Sequence, residues 1–261
     1  MSEHTAISWC DSTLNRMMGC GGCELWNGSV RTCYAGRMTG EYAGREGWPA
    51  AFEEPRLFPD RLDKALRWPD LTGRDRLSPE EYAEGRPGKP WLNGLPRIVF
   101  LEDMGDAFTE ELDPAWMVPD LPKLAASPNH WLQLTKRAAR AKHFYELHDA
   151  PPNLWLGVSV TTQRTADARI PHLLDTPRIG TRFVSVEPLL EPVVLEPYLE
   201  DLDWVIIGGE SGPGYRLMPR ARAKDLMRQC RDFGVPAFFK QDSGPRTEMI
   251  AGPMLAREMP R

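Results

Sequence analysis

Long apolar runs are missing from this 261-residue chain: no stretch approaches the roughly 18 residues that span a bilayer. The opening Met1-Ser2-Glu3-His4-Thr5 also lacks the basic start and apolar core of a secretory signal. A cytoplasmic protein without membrane contact is therefore expected. Excess positive charge is missing too. A net charge of -5 and a pI near 5.6 argue against a protein that coats nucleic acid through bulk electrostatics, although a local basic patch stays open. Histidine is scarce, with five in all and none at metal-binding spacing; His143 and His148 read as solvated. The five cysteines are an odd number in a chain with no export signal, which excludes a full disulfide framework and favours metal binding for any cluster among them. The glycine-rich stretch from Gly208 to Gly214 lacks the Gly-Lys-Ser/Thr ending of a phosphate loop, so nucleotide hydrolysis is not expected.

What is present is the composition of a folded domain, 41% hydrophobic and 26% charged, with many prolines and tryptophans. From Pro96 onward short apolar runs alternate with longer stretches of helical periodicity. The runs are Arg97 to Leu101, Trp131 to Leu134, Leu154 to Val160, Thr181 to Val186, Trp204 to Ile207 and Ala237 to Lys240. Their continuous hydrophobicity is that of strands buried on both faces, and the spacing leaves room for one crossover helix each. Helices are expected over Pro114 to Ala126, Ala138 to Leu147, Gln163 to Leu174 and Ala221 to Phe233. A further strand at Ala6 to Trp9 would make seven. The pattern predicts an α/β fold, a barrel or a doubly wound sheet of parallel strands. Residues 69–96 break the pattern and read either as a lid over a barrel mouth or as a surface loop.

Cys20 and Cys23 are separated by two glycines, and Cys33 follows after Arg31-Thr32. Thiolates two residues apart can converge on one metal or cluster, because a glycine turn folds tightly around it. A structural zinc ion would require a fourth ligand, and unliganded thiols are a third reading. Cys10 and Cys230 read as small buried residues.

Ile7-Ser8-Trp9-Cys10-Asp11-Ser12-Thr13-Leu14-Asn15, Cys33-Tyr34-Ala35, Phe100 to Phe108, Phe183 to Leu190 and Trp204 to Gly212 together resemble a phage-associated three-Cys-motif family of unassigned general function. Its members look like compact radical S-adenosylmethionine (SAM) proteins. The resemblance covers nearly the whole chain except residues 69–96. The chain departs from the usual C-x3-C-x2-C pattern and has no cysteine two residues before Cys33-Tyr34-Ala35, a place that Cys23 fills from the other side.

The resemblance implies one partial TIM-like βα barrel domain over residues 1–261, with a cluster loop over about residues 15–40. It implies a [4Fe-4S] cluster on Cys20, Cys23 and Cys33, bound SAM, and an electron donor such as flavodoxin or ferredoxin in the cytoplasm of the host. Groups at the strand ends are then candidates for SAM and substrate. Glu102 or Asp103 would accept from the SAM amino group, while Lys136 and Arg137 offer cations for a carboxylate or phosphate. Ser159 would reach ribose hydroxyls, and Ser185 and Glu187 complete that side. Tyr34 would flank the adenine, and Glu187, Glu210 and Lys240 are the catalytic candidates. Association with phage points to a modified nucleobase or nucleic acid as substrate and to an isomerisation or rearrangement in DNA modification, with Lys136, Arg137, Arg140 and Lys142 as a phosphate patch. Two other classes remain: a non-catalytic binding module stabilised by zinc or a cluster, and a metal-free hydrolase or lyase built on Glu187, Glu210 and Lys240.

Overall fold

The structure is a computed structural model that describes residues 1–245 and 256–260. Its first strand, β1 (Ser12–Leu14), is followed by a small antiparallel pair, β2 (Met17–Met18) with β3 (Arg56–Leu57). Then come β4 (Ile98–Leu101), β5 (His130–Thr135), β6 (Leu154–Val160), β7 (Thr181–Val186), β8 (Trp204–Gly208) and β9 (Ala237–Gln241). The helices are α1 (Tyr34–Tyr42), α2 (Asp60–Ala65), α3 (Pro79–Ala83), α4 (Leu121–Ala125), α5 (Ala138–Leu147), α6 (Gln163–Leu174) and α7 (Arg220–Asp232). The large sheet has seven strands in the order β1-β4-β5-β6-β7-β8-β9, every pair parallel, and it curls into a half-barrel.

Both faces of this sheet are buried, which is why its strands read as unbroken apolar runs. On the convex face Val99, Leu156, Val158, Val184, Val186, Val205 and Ile207 pack with Ala141, Phe144, Ile170, Leu173 and Leu226 of the helices. On the concave face Leu132, Trp155, Phe183, Trp204 and Phe238, all in the first half of their strands, meet Trp9 in an aromatic floor. Trp204 touches Trp9, Trp155 and Phe238 edge-on, with ring centroids 6.2, 6.1 and 6.0 Å away.

Three expectations change. The first strand lies at Ser12–Leu14 and not at Ala6 to Trp9, because Trp9 and Cys10 turn into the floor while the Asp11 carboxylate accepts from Ile98 N at 2.9 Å. The stretch Pro114 to Ala126 is a 3-10 helix, Pro114–Asp120, followed by the short α4, since Pro119 and Pro122 each remove a backbone donor. Residues 69–96, read as either a lid or a surface loop, pack at the opposite end of the half-barrel. Leu92 is buried in the aromatic floor, Trp91 stacks edge-on against Phe238, and Lys89 Nζ donates to the carbonyls of Thr5 and Ile7 at 2.7 Å. No residue of 69–96 lines the mouth. No helix among the described residues is long and apolar enough to cross a membrane.

Candidate functional site

Parallel strands point all their C-terminal ends the same way, so the groups that follow them gather at one mouth. A cavity of about 380 Å³ opens there. Apart from Arg140 and Lys142, every site residue picked out by sequence lines it: Cys20, Cys23 and Cys33 with Tyr34; Glu102 and Asp103 after β4; Lys136 and Arg137 after β5. Ser159 lies in β6, Ser185 and Glu187 belong to the end of β7, Glu210 follows β8, and Lys240 is in β9.

The cysteines sit on a loop between β2 and α1. Gly22 has φ +102°, and a side chain there would meet Trp26 O at 2.4 Å, so the turn between Cys20 and Cys23 requires glycine. Cys20 N donates to Phe52 O at 2.7 Å, Cys23 and Trp26 exchange backbone bonds at 2.7 and 3.0 Å, and Cys33 caps the start of α1. None of the three is joined in a disulfide. Burial raises Cys20 to about 11, with the nearby Arg137 charge opposing it, and burial likewise raises Cys33 against the amides of Gly36 and Ala35. Loading a metal there would displace their protons. Among the described residues no three Cys, His, Asp or Glu groups converge closely enough to hold one ion. A cluster bound by three thiolates needs one cysteine per iron, spread around a cavity as these three are, whereas a structural zinc ion needs four ligands at one point.

Several polar groups on the wall are already engaged. Glu102 has φ 55° and both its oxygens meet Arg16, at 2.9 and 3.1 Å, with both side chains 2% exposed. It is thereby removed as the acceptor for an incoming amine, because the buried guanidinium needs it. Glu210 is gripped by Arg216 at 2.6 and 2.8 Å; burial works to raise its pKa, but Arg216 holds it below the ordinary range, a poor setting for a general acid. Arg137 donates to Gly22 O and to Glu110 Oε2 at 3.1 Å and lies 3.6 Å from Asp106, so it fastens the cysteine turn and is not an open cation. Glu24, next to Cys23, takes both terminal nitrogens of Arg169 at 2.9 Å and the Thr161 hydroxyl at 3.2 Å. Burial opposes ionisation of Glu24, yet Arg169 brings its pKa down to about 2.

Other groups stay open to a ligand. Lys136 has no hydrogen bond or ion pair from its ammonium among the described residues, while its backbone N–H donates to Asp106 at 2.9 Å. Asp103, half-buried, is bonded to Asn15 Nδ2 at 2.6 Å; burial raises its pKa and Asn15 opposes that. Glu187 pairs with Lys240 Nζ at 3.0 Å and has the Ser185 hydroxyl 3.4 Å away, while Ser159 Oγ is 3.5 Å from Glu187 O. Tyr34 is 51% exposed at the rim. Deeper in, Trp9, Phe100 and Leu134 form an apolar end, and the buried Trp9 Nε1 finds no acceptor among the described residues.

The expected phosphate patch does not form. Beyond Lys136, Arg137 is engaged as above, Arg140 donates to Leu112 O at 2.9 Å, and Lys142 pairs with Asp175 at 3.2 Å. Sequence reasoning also missed Asp106, Glu24, Arg169 and Arg216. Asp106 accepts from Thr135 Oγ1 at 2.7 Å and from Lys136 N, and so shapes the end of β5. Its place in Glu102-Asp103-Met104-Gly105-Asp106, and that of Glu24 beside Cys23, were the available signals; Arg169, on the middle of a helix, carried none.

The chain matches the model of DUF5131, described as a protein of unknown function, over residues 4–253. It belongs to that family. No curated protein and no solved structure matches it. The DUF5131 match takes in β1 through β9 and every residue of the cavity wall named above.

Proposed function

We propose that this DUF5131 protein is an iron-sulfur enzyme of the radical SAM type, with Cys20, Cys23 and Cys33 as ligands at the mouth of a partial βα barrel. What supports the reading is one observation. Three cysteines from one loop and polar groups from the ends of six strands line a single cavity of about 380 Å³, within the range of small-molecule sites. Held there by Cys20, Cys23 and Cys33, a [4Fe-4S] cluster would supply one-electron reduction of bound SAM.

The chain's own residues bind, orient and exclude water. Lys136 is the cation for the SAM carboxylate and Asp103 the acceptor for its ammonium, a role in which Glu102 cannot share. Tyr34 flanks the adenine. Trp9, Phe100 and Leu134 keep water from the deep end, and the Glu187 carboxylate, paired with Lys240, holds or moves a proton on the substrate. The substrate is a nucleobase-bearing small molecule undergoing rearrangement, since the wall offers little for a polymeric phosphate backbone. Flavodoxin or ferredoxin supplies the electron.

The test is anaerobic reconstitution with iron and sulfide, followed by SAM and dithionite. 5′-Deoxyadenosine is expected from the native chain and from Cys230→Ala, and is expected to vanish in Cys20→Ala, Cys23→Ala and Cys33→Ala. A well-formed four-iron cluster that never cleaves SAM would leave the binding-module reading in its place.

A further inference from the structure

The cysteine loop has a small bonded ladder of its own around Cys23, with bridges from Trp26 to Cys23 and to Arg31. The backbone of Cys23 bonds to Trp26, three residues on, and accepts from Asn27 Nδ2 at 3.3 Å, and the Leu25 amide approaches its Sγ at 3.4 Å. Leu25 O, inside the same turn, accepts from Thr32 N and Cys33 N at 3.0 Å, so these bonds tie the turn to Cys33, but all of them lie within the loop and none joins Cys23 to the sheet. Both neighbours of Cys23, by contrast, are tied to strand ends. On one side Arg137 donates to Gly22 O. On the other, Glu24 is held through two parallel bonds of 2.9 Å by Arg169, which also donates to Ser159 O at 2.7 Å and so fixes itself to β6. The planar fork of arginine sets direction as well as distance, which one point charge would not do. Thr161 at the end of β6 adds a third bond to the same carboxylate.

We propose that Arg169 and Glu24 are positioning residues that hold Cys23 in register with Cys20 and Cys33, with Arg137 acting on the other flank. The proposal rests on the cluster reading for its purpose. The clamp itself can be tested in the chain without iron.

The first arm follows alkylation of Cys23 by iodoacetamide in the iron-free protein at fixed pH, resolved by peptide mass spectrometry. Arg169→Leu opens the turn, and the rate at Cys23 rises about tenfold while that of Cys230 in the core stays as in the native chain. The second arm measures iron bound per chain and the visible absorbance after anaerobic reconstitution: both fall in Arg169→Leu and return only in small part in Arg169→Lys, which keeps the charge and loses the fork. Glu24→Gln, which keeps an acceptor oxygen, serves as the milder variant, with circular dichroism to establish folding, should Arg169→Leu fail to fold. An unchanged Cys23 rate in a folded variant overturns the clamp whether or not iron binds. A native chain that takes up no iron while the first arm succeeds removes the cluster reading and leaves the clamp standing.

Discussion

The two ends of the half-barrel solve different problems with different chemistry. At the N-terminal end Trp9, Trp155, Phe183, Trp204 and Phe238 interlock around a closed floor that Leu92 completes. At the C-terminal end the side chains are charged, and most are paired: across long sequence separations Arg16 with Glu102, Arg169 with Glu24 and Lys240 with Glu187, and close by in sequence Arg216 with Glu210. The floor is held by apolar area, which needs no particular direction. The mouth is held by directed bonds that bring loops together around a cavity. A polar group at a strand end is therefore not evidence of ligand contact on its own, because part of the set builds the rim and a smaller part faces the ligand.

The largest effect comes from breaking the floor. Trp204→Ala removes a fully buried indole from contact with four other rings and is expected to cost about 3–5 kcal/mol, read as a lower midpoint in guanidinium unfolding. A loss below about 1 kcal/mol would mean that the floor collapses onto the gap and does not support the mouth. Next is the rim. Glu102→Gln leaves the buried Arg16 with Asp120 as its remaining charged partner, at 3.2 Å, and should cost about 3 kcal/mol, while replacing Arg16 and Glu102 together by Met and Leu recovers part of it. Stability unchanged in Glu102→Gln with SAM affinity lost would move Glu102 from the rim to the ligand.

How far the sequence could carry this comparison follows from the same division. β6 and β7 and the helices α5 and α6 fall on their expected bounds, because burial on both faces and on one stripe leaves a readable period. Residues 69–96 misled because their charges look solvated, whereas Lys89 and Arg76 are turned inward to backbone carbonyls and to Asp11. The gathering of the strand-end candidates at one cavity was legible, but it is a consequence of parallel topology and says where a group stands without saying what it does. Roles depend on partners such as Arg16, Arg169 and Arg216, which lie 86, 145 and 6 residues from the carboxylates they hold, and no local pattern announces such pairs.

Asp103 separates ligand-facing from rim-building carboxylates through pH. Its pKa is raised above 3.8 in the folded protein, chiefly by burial, so between that value and its folded pKa the native state binds the extra proton. Stability from this group is then full below pH 3.8 and declines as pH rises through the folded pKa. Asp103→Asn removes that decline: relative to the native chain it is more stable at pH 7, and the advantage disappears below pH 3.8, as followed by denaturation midpoints across pH. Its SAM affinity should nevertheless fall about tenfold, because the ammonium loses a charged acceptor. Glu24, held down to about 2, gives the opposite profile, with its contribution present above the ordinary carboxylate range and lost only as pH falls towards 2.

The smallest stability change belongs to Lys136. Its ammonium makes no hydrogen bond or ion pair among the described residues, so Lys136→Met should leave unfolding within about 0.5 kcal/mol of the native chain. The backbone N–H that shapes the end of β5 is untouched by the substitution, and so the cavity keeps its form. An unpaired cation at a cavity wall is instead available to an incoming carboxylate, and its loss should weaken SAM binding about tenfold, measured by calorimetry on the reconstituted protein. Arg137→Met supplies the contrast, since that side chain is bonded to Gly22 O and Glu110 and its removal should disturb the cysteine turn before any ligand arrives. Equal effects of the two variants on iron content would put Lys136 among the residues that build the rim; an effect on SAM alone keeps it among those that face the ligand.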